Sequence, residues 1–85
     1  MKYSQYIQYV NLYSVNKMIS YQPFYQTLFR KGITEYHLIF KQGVDASLLH
    51  RMKHGKPMTT TTLNTLCEIL DCRVEDILEY VPDEE

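Results

Sequence analysis

Glycine is scarce in this chain of 85 residues, and its three copies stand far apart at Gly32, Gly43 and Gly55. That spacing excludes a glycine-rich loop for cradling phosphates. Only two cysteines, Cys67 and Cys72, are present, both inside an apolar helical pattern. They make no disulfide framework, and a reduced, cytoplasmic setting fits them. No apolar run approaches the roughly 18 residues that a membrane helix needs. The N-terminus lacks a basic start followed by an apolar core and a small-residue cleavage site. No Ser/His/Asp or Cys/His arrangement and no pocketed pair of carboxylates stands out. What is present is ordinary for a folded protein, 45% hydrophobic and 22% charged residues. A chain this short forms one small domain with little room for both a core and a deep pocket. It therefore reads as a compact binding module and not an enzyme, with no cofactor, no membrane partner and no small-molecule substrate.

The net charge of −1 conceals a gradient. Residues 1–31 carry Lys2, Lys17, Arg30 and Lys31 and no acid, a charge of +4. Residues 32–56 set Lys41, Arg51, Lys53 and Lys56 against Glu35 and Asp45, a charge of +2. Residues 68–85 hold Glu68, Asp71, Glu75, Asp76, Glu79, Asp83, Glu84 and Glu85 against Arg73, a charge of −7. Such a molecule can turn a basic side toward a polyanion, although solvated charged faces would give the same count.

Residues 1–17 form an N-terminal extension with four of the eight tyrosines. Tyr3, Tyr6, Ile7, Val10 and Tyr13 recur at helical spacing, but Tyr, Ile and Val favour strands, so its state stays open. Residues 18–85 read as the domain, an all-α bundle of five short helices. Pro23 suits the start of the first, which carries Phe24, Leu28 and Phe29 and stops at Gly32. Thr34 caps the second, with Leu38, Ile39 and Phe40, ending at Gly43. Asp45 caps the third, whose stripe is Leu48, Leu49 and Met52, and Gly55 and Pro57 end it. Thr59 or Thr60 caps the fourth, with Leu63, Leu66, Cys67 and Leu70 inward. The fifth is expected from about Val74, with Ile77 and Leu78 inward, until Pro82. Ile19–Tyr21 is expected to pair in extended form with Glu79–Val81.

The informative stretch is Thr34–Gly55, TEYHLIFKQGVDASLLHRMKHG. Gly43 sits where a tight turn between helices needs a left-handed residue. Val44 follows where an apolar side chain can plug the angle between them, meeting Leu38, Leu49 and Met52. This is a helix-turn-helix pattern, whose second helix projects side chains into the DNA major groove. Its outward positions are Ala46, Ser47, His50, Arg51 and His54.

From Met18 to Glu85 the chain resembles the Cro/cI-type (Xre family) DNA-binding domains, in a compact subgroup. The matching pieces are Ile19-Ser20-Tyr21, the turn Gly43-Val44, Gly55, the run Leu66 to Cys72, and the run Val74 to Pro82. The resemblance implies a lambda-repressor-like domain of five helices. It also implies a cytoplasmic transcriptional regulator that represses at a short operator. The chain departs from the family in four places. Ile39 stands where Ala is usual, and Leu48 where a small polar residue is usual; both suggest shifted packing between helices. Glu35 replaces a phosphate-binding Gln, and Lys53 a frequent Glu; these two redistribute charge.

The candidate DNA-contacting residues are Ala46, Ser47, His50, Arg51, Lys53, His54, Lys56, Thr59 and Thr60. Arg51 is suited to bidentate contact with guanine, and Ser47 and His50 to single base edges. Lys53, His54 and Lys56 lie where the DNA backbone passes. Thr59 and Thr60 are caps first, with phosphate binding at their helix N-terminus second. Each has a plainer alternative as an exposed or solubilising side chain. His50 and His54, four apart, are spaced for a metal. The separation of Cys67 from Cys72, however, turns the thiols to different faces, so no metal site is expected. A small reader of this kind works as a homodimer on a pseudo-palindrome, with half-site centres roughly 34 Å apart. Candidate dimer surfaces are the tyrosine-rich extension and the edge left by Leu78, Tyr80 and Val81. The competing function is a protein-interaction module, an antitoxin-like or regulatory partner, that keeps the fold without binding DNA. Glu35 and the acidic C-terminal region support that alternative.

Overall fold

A computed structural model of the chain describes residues 18–82. The extension 1–17 and its open assignment lie outside the described residues. The elements in order are β1 (Met18–Ser20), α1 (Gln22–Lys31), α2 (Glu35–Gln42), α3 (Ala46–Lys53), α4 (Thr60–Leu70), a 3₁₀ turn (Val74–Asp76) and β2 (Glu79–Val81).

The helix ends follow the chemistry of their sequence. Thr34, Asp45 and Thr59 sit in extended backbone, and each side chain accepts a hydrogen bond from a backbone N–H in the first turn of α2, α3 or α4. Thr59, not Thr60, caps α4. Gly43 takes φ 75° after α2, a left-handed conformation that a side chain would strain. Its neighbour Val44 is then buried and donates its N–H to Leu38 O at 2.9 Å. One core holds Tyr21, Phe24, Leu28, Leu38, Val44, Leu49, Met52, Leu66, Leu70 and Ile77. Burying each large side chain of this kind stabilises the fold by about 1.5–3 kcal/mol before entropy is counted. The helix-turn-helix pair is therefore anchored by Leu38, Val44, Leu49 and Met52, as its apolar pattern implies.

Three expectations need correction. The described residues hold four helices, not five. The segment from Val74 makes only a 3₁₀ turn, capped locally at its start and held at its end by a distant partner. Asp76 Oδ2 accepts from the Arg73 N–H at 3.0 Å, and Ile77 O accepts from the Phe24 N–H at 3.2 Å. Residues beyond it pair with the other end of the domain. The described residues remain mostly helical, consistent with the all-α expectation, and an extended pair joins their ends: Met18, Ile19 and Ser20 pair antiparallel with Val81, Tyr80 and Glu79. The second strand has the expected bounds, and the first starts and ends one residue before the expected Ile19–Tyr21. Tyr21 leaves the strand because its ring enters the core. Finally, Phe29 and Phe40 do not face inward; they are 90% and 66% exposed. At those turns Leu28 and Leu38 are the neighbours that fill the core instead.

Thr27 closes α1 onto the 3₁₀ turn. Its buried hydroxyl donates to Asp76 O at 2.7 Å and accepts from Arg30 Nη2 at 3.3 Å.

Candidate nucleic-acid interface

α3 has two faces. Leu49 and Met52 are buried and Leu48 is half-buried, while Ala46, Ser47, His50, Arg51, Lys53 and His54 are exposed. The alternation follows from eight residues at helical spacing, with apolar side chains on one stripe only. Every outward position expected from the sequence is therefore available to solvent.

The N-terminal half of that face is a connected network. The Asp45 carboxylate accepts from the Ser47 N–H at 2.9 Å. Arg51 Nη1 donates to Ser47 Oγ at 3.1 Å, one turn along the helix. The Asp45 carboxyl lies below the usual carboxylate range, chiefly through the Ser47 backbone N–H. The Ser47 hydroxyl and then the Arg51 charge add to this, against slight desolvation. An ionised Asp45 suits the positive end of the helix dipole, and Arg51 and Lys53 suit the negative end. The network holds the guanidinium over Ser47 through one N–H, and its other donors have no partner among the described residues.

Further along, the His50 and His54 rings lie 4.5 Å apart, and His54 Nδ1 is 2.9 Å from His50 O. These two imidazoles are in contact, tilted 44° to each other, and exposed. Among the described residues, no group of three or more His, Cys, Asp or Glu side chains converges for a metal ion.

Glu35 and Lys53, two of the departures from the family pattern, meet. Lys53 Nζ is 3.3 Å from Glu35 Oε1, tying the start of α2 to the end of α3. Each charge thus answers the other, and Lys53 is not a free cation. Ile39 and Leu48 are both half-buried against the core. Leu48 also lines a groove with Val44, Thr61, Thr65 and Ile69 between the turn and α4.

Lys56 is exposed, and its backbone is fixed from two sides. Its N–H donates to Arg51 O at 3.0 Å, and its carbonyl accepts from the Tyr21 hydroxyl at 2.7 Å. Burial raises the Tyr21 phenol above its ordinary value. Tyr21 was not among the sequence candidates. It precedes a helix and belongs to no periodic pattern, so no sequence signal marks its partner 35 residues away. The Thr59 hydroxyl is occupied: it accepts from the Thr62 N–H at 3.1 Å and donates to Thr62 Oγ1 at 3.2 Å. Thr60 is exposed at the first position of α4. The structure therefore groups Ser47, His50, Arg51, Lys53 and His54 on one helix face. Lys56 sits on the following loop, and Thr59 and Thr60 belong to another element. No described helix is long and apolar enough to cross a membrane.

Three comparisons bear on this arrangement. The sequence profile of the Cro/C1-type HTH DNA-binding domain family matches residues 26–83. Among solved structures, the crystal structure of the transcriptional regulator VanUg, form II, is similar with a TM-score of 0.69 and 27% identity. That match covers 88% of this chain and 100% of the other. No curated protein sequence matches the chain.

Proposed function

Since the chain belongs to the family of Cro/C1-type helix-turn-helix DNA-binding domains, we propose that it is a sequence-specific transcriptional regulator that reads the DNA major groove with α3. The observation that carries this reading is the exposed face of α3, on which Ser47 and Arg51 are joined at 3.1 Å while Leu49 and Met52 anchor the helix from behind. A rigid helix with a pre-positioned guanidinium is what base recognition requires.

Within that reading, Arg51 makes bidentate bonds to guanine, and Ser47 and His50 each reach a base edge. Ala46 packs at the base edges without a polar contact. His54 and Lys56 position the domain on the backbone, and Lys53 does so when released from Glu35. Thr59 and Thr60 contribute at most through the N-terminus of α4. The protein is a non-enzymatic repressor acting in the cytoplasm, and residues 18–85 are the folding unit. It acts as a homodimer on a pseudo-palindrome whose half-site centres lie roughly 34 Å apart.

A gel shift against random genomic fragments at low salt tests the reading. Retarded complexes that sharpen onto a subset of fragments support it. Complete absence of binding overturns it in favour of a protein-interaction module. The Glu35–Lys53 pair weakens that alternative, since Glu35 is not an isolated charge facing phosphate.

A further inference from the structure

The two cysteines lie outside the face assigned to DNA, and their placement differs from the sequence expectation that they point apart. Helical periodicity ends at Leu70, and Asp71 adopts a left-handed φ of 51°. The Asp71 N–H returns to Glu68 O at 3.3 Å, and the Cys72 N–H returns to Cys67 O at 3.1 Å. This is a Schellman ending, in which the residue after the left-handed position folds back onto the residue five places earlier. An apolar pair commonly occupies those two positions; here both are cysteine. The backbone bond between them is compatible with the Cα separation of about 4.4–6.8 Å that a disulfide spans.

Side-chain surroundings agree with the backbone. Cys67 and Cys72 line one groove, together with Leu63, Asn64, Arg73 and Val74. Both are free and half-buried, so reagents can reach them. The thiols also sense each other. Burial pushes the Cys72 thiol up, followed by the charges of Cys67 and Asp76 and a hydrogen bond with Cys67, and only Lys31 opposes this.

We propose that Cys67 and Cys72 form a thiol–disulfide exchange site that takes small disulfides of the glutathione type and closes to an intramolecular disulfide. In the first step the Cys67 thiolate attacks one sulfur of the small disulfide. A Cys67–glutathione bond forms, the substrate S–S bond breaks, and one glutathione thiolate leaves and takes up a proton. In the second step Cys72 gives its proton to solvent and attacks the Cys67 sulfur, displacing the second glutathione thiolate. Two protein thiols are oxidised, and one small disulfide is reduced to two thiols. The first attack is assigned to Cys67 because burial pushes the Cys72 thiol up and lowers its thiolate fraction. The product pins the end of α4 to the segment leading into the 3₁₀ turn.

The test is incubation of the full folded chain with glutathione disulfide at neutral pH, then acid quench, alkylation and intact-mass measurement. The wild-type chain is expected to lose two hydrogens, to resist alkylation at both cysteines, and to recover both thiols with dithiothreitol. Cys72→Ser is expected to stop at a stable single glutathione adduct on Cys67, and Cys67→Ser to react more slowly. Circular dichroism verifies that both variants are folded, and the wild-type measurement needs no variant. A wild-type end product that is a stable glutathione adduct, a crosslink between chains, or unreacted protein overturns the proposal. Faster adduct formation on Cys67→Ser than on Cys72→Ser overturns the assigned order.

Discussion

Replacing Glu35 by glutamine separates what the Glu35–Lys53 pair does for the fold from what it does at DNA. The two charged groups are 3.3 Å apart, with side chains 33% and 54% exposed. At that distance in nearly aqueous surroundings the attraction is about 1 kcal/mol, and exposed pairs of this kind contribute about 0.2–1 kcal/mol to stability. Glu35→Gln is therefore expected to cost under about 1 kcal/mol in urea unfolding. Its effect on DNA is in the opposite direction. The substitution removes a carboxylate from the proposed phosphate-facing edge and releases the Lys53 ammonium. One additional neutralised phosphate steepens the dependence of log affinity on log salt by about 0.9. Across a fourfold rise in salt, the variant then loses about 3.5-fold more affinity than the wild-type chain, while binding more tightly at the low-salt end. Fluorescence anisotropy on one labelled duplex at stepped salt reads both quantities, and adding Lys53→Ala should return the slope to its original value. An unchanged slope with unchanged or weaker affinity would show that Lys53 meets no phosphate even when free. The charge reasoning would then be wrong.

Arg51→Ala is expected to cost about 1–3 kcal/mol on the cognate site and relax preference at one position, measured by competition among single-base variants of that site. Lys56→Ala should weaken all duplexes about equally and reduce the salt slope by about 0.9, with base preference intact. Tyr21→Phe leaves the Lys56 carbonyl without its donor and should cost about 0.5–1.5 kcal/mol in denaturant unfolding. Asp45→Ala should destabilise the domain at neutral pH, and acid should erase the difference. The Asp45 carboxyl lies below its ordinary value in the fold. Its stabilisation is thus present above the unfolded-state value of about 3.9 and is lost as pH falls through the lower folded-state value. Thermal unfolding of both proteins across that acid range checks the sign.

Local chemistry made most of the helices legible. Thr34, Asp45 and Thr59 are caps because a short oxygen-bearing side chain there satisfies a first-turn N–H, and nothing distant is needed to see it. Gly43 and Val44 likewise announce the turn between α2 and α3. Legibility failed where a distant partner or the end of a helix decided the outcome. Phe29 and Phe40 are apolar but exposed, since Leu28 and Leu38 occupy the inward direction. The fifth helix shrinks to a turn because Phe24 and β1 take the hydrogen-bonding groups near it. Within the candidate site, the outward residues of α3 follow from periodicity. The Glu35–Lys53 pair and the Tyr21–Lys56 bond do not, because they join residues from separate elements. Cys67 and Cys72 were assigned to different faces by extending helical spacing past Leu70, where the left-handed Asp71 reverses the chain.

Selection of bound duplexes from a random DNA library tests the central claim most directly, because it asks for binding and for sequence choice together. The proposed role predicts enrichment of a pseudo-palindrome whose half-site centres lie roughly 34 Å apart, one turn of DNA. Arg51→Ala should lose preference at a guanine within each half-site. A library that emerges with no sequence enriched over the input, even at low salt, would contradict DNA reading by α3.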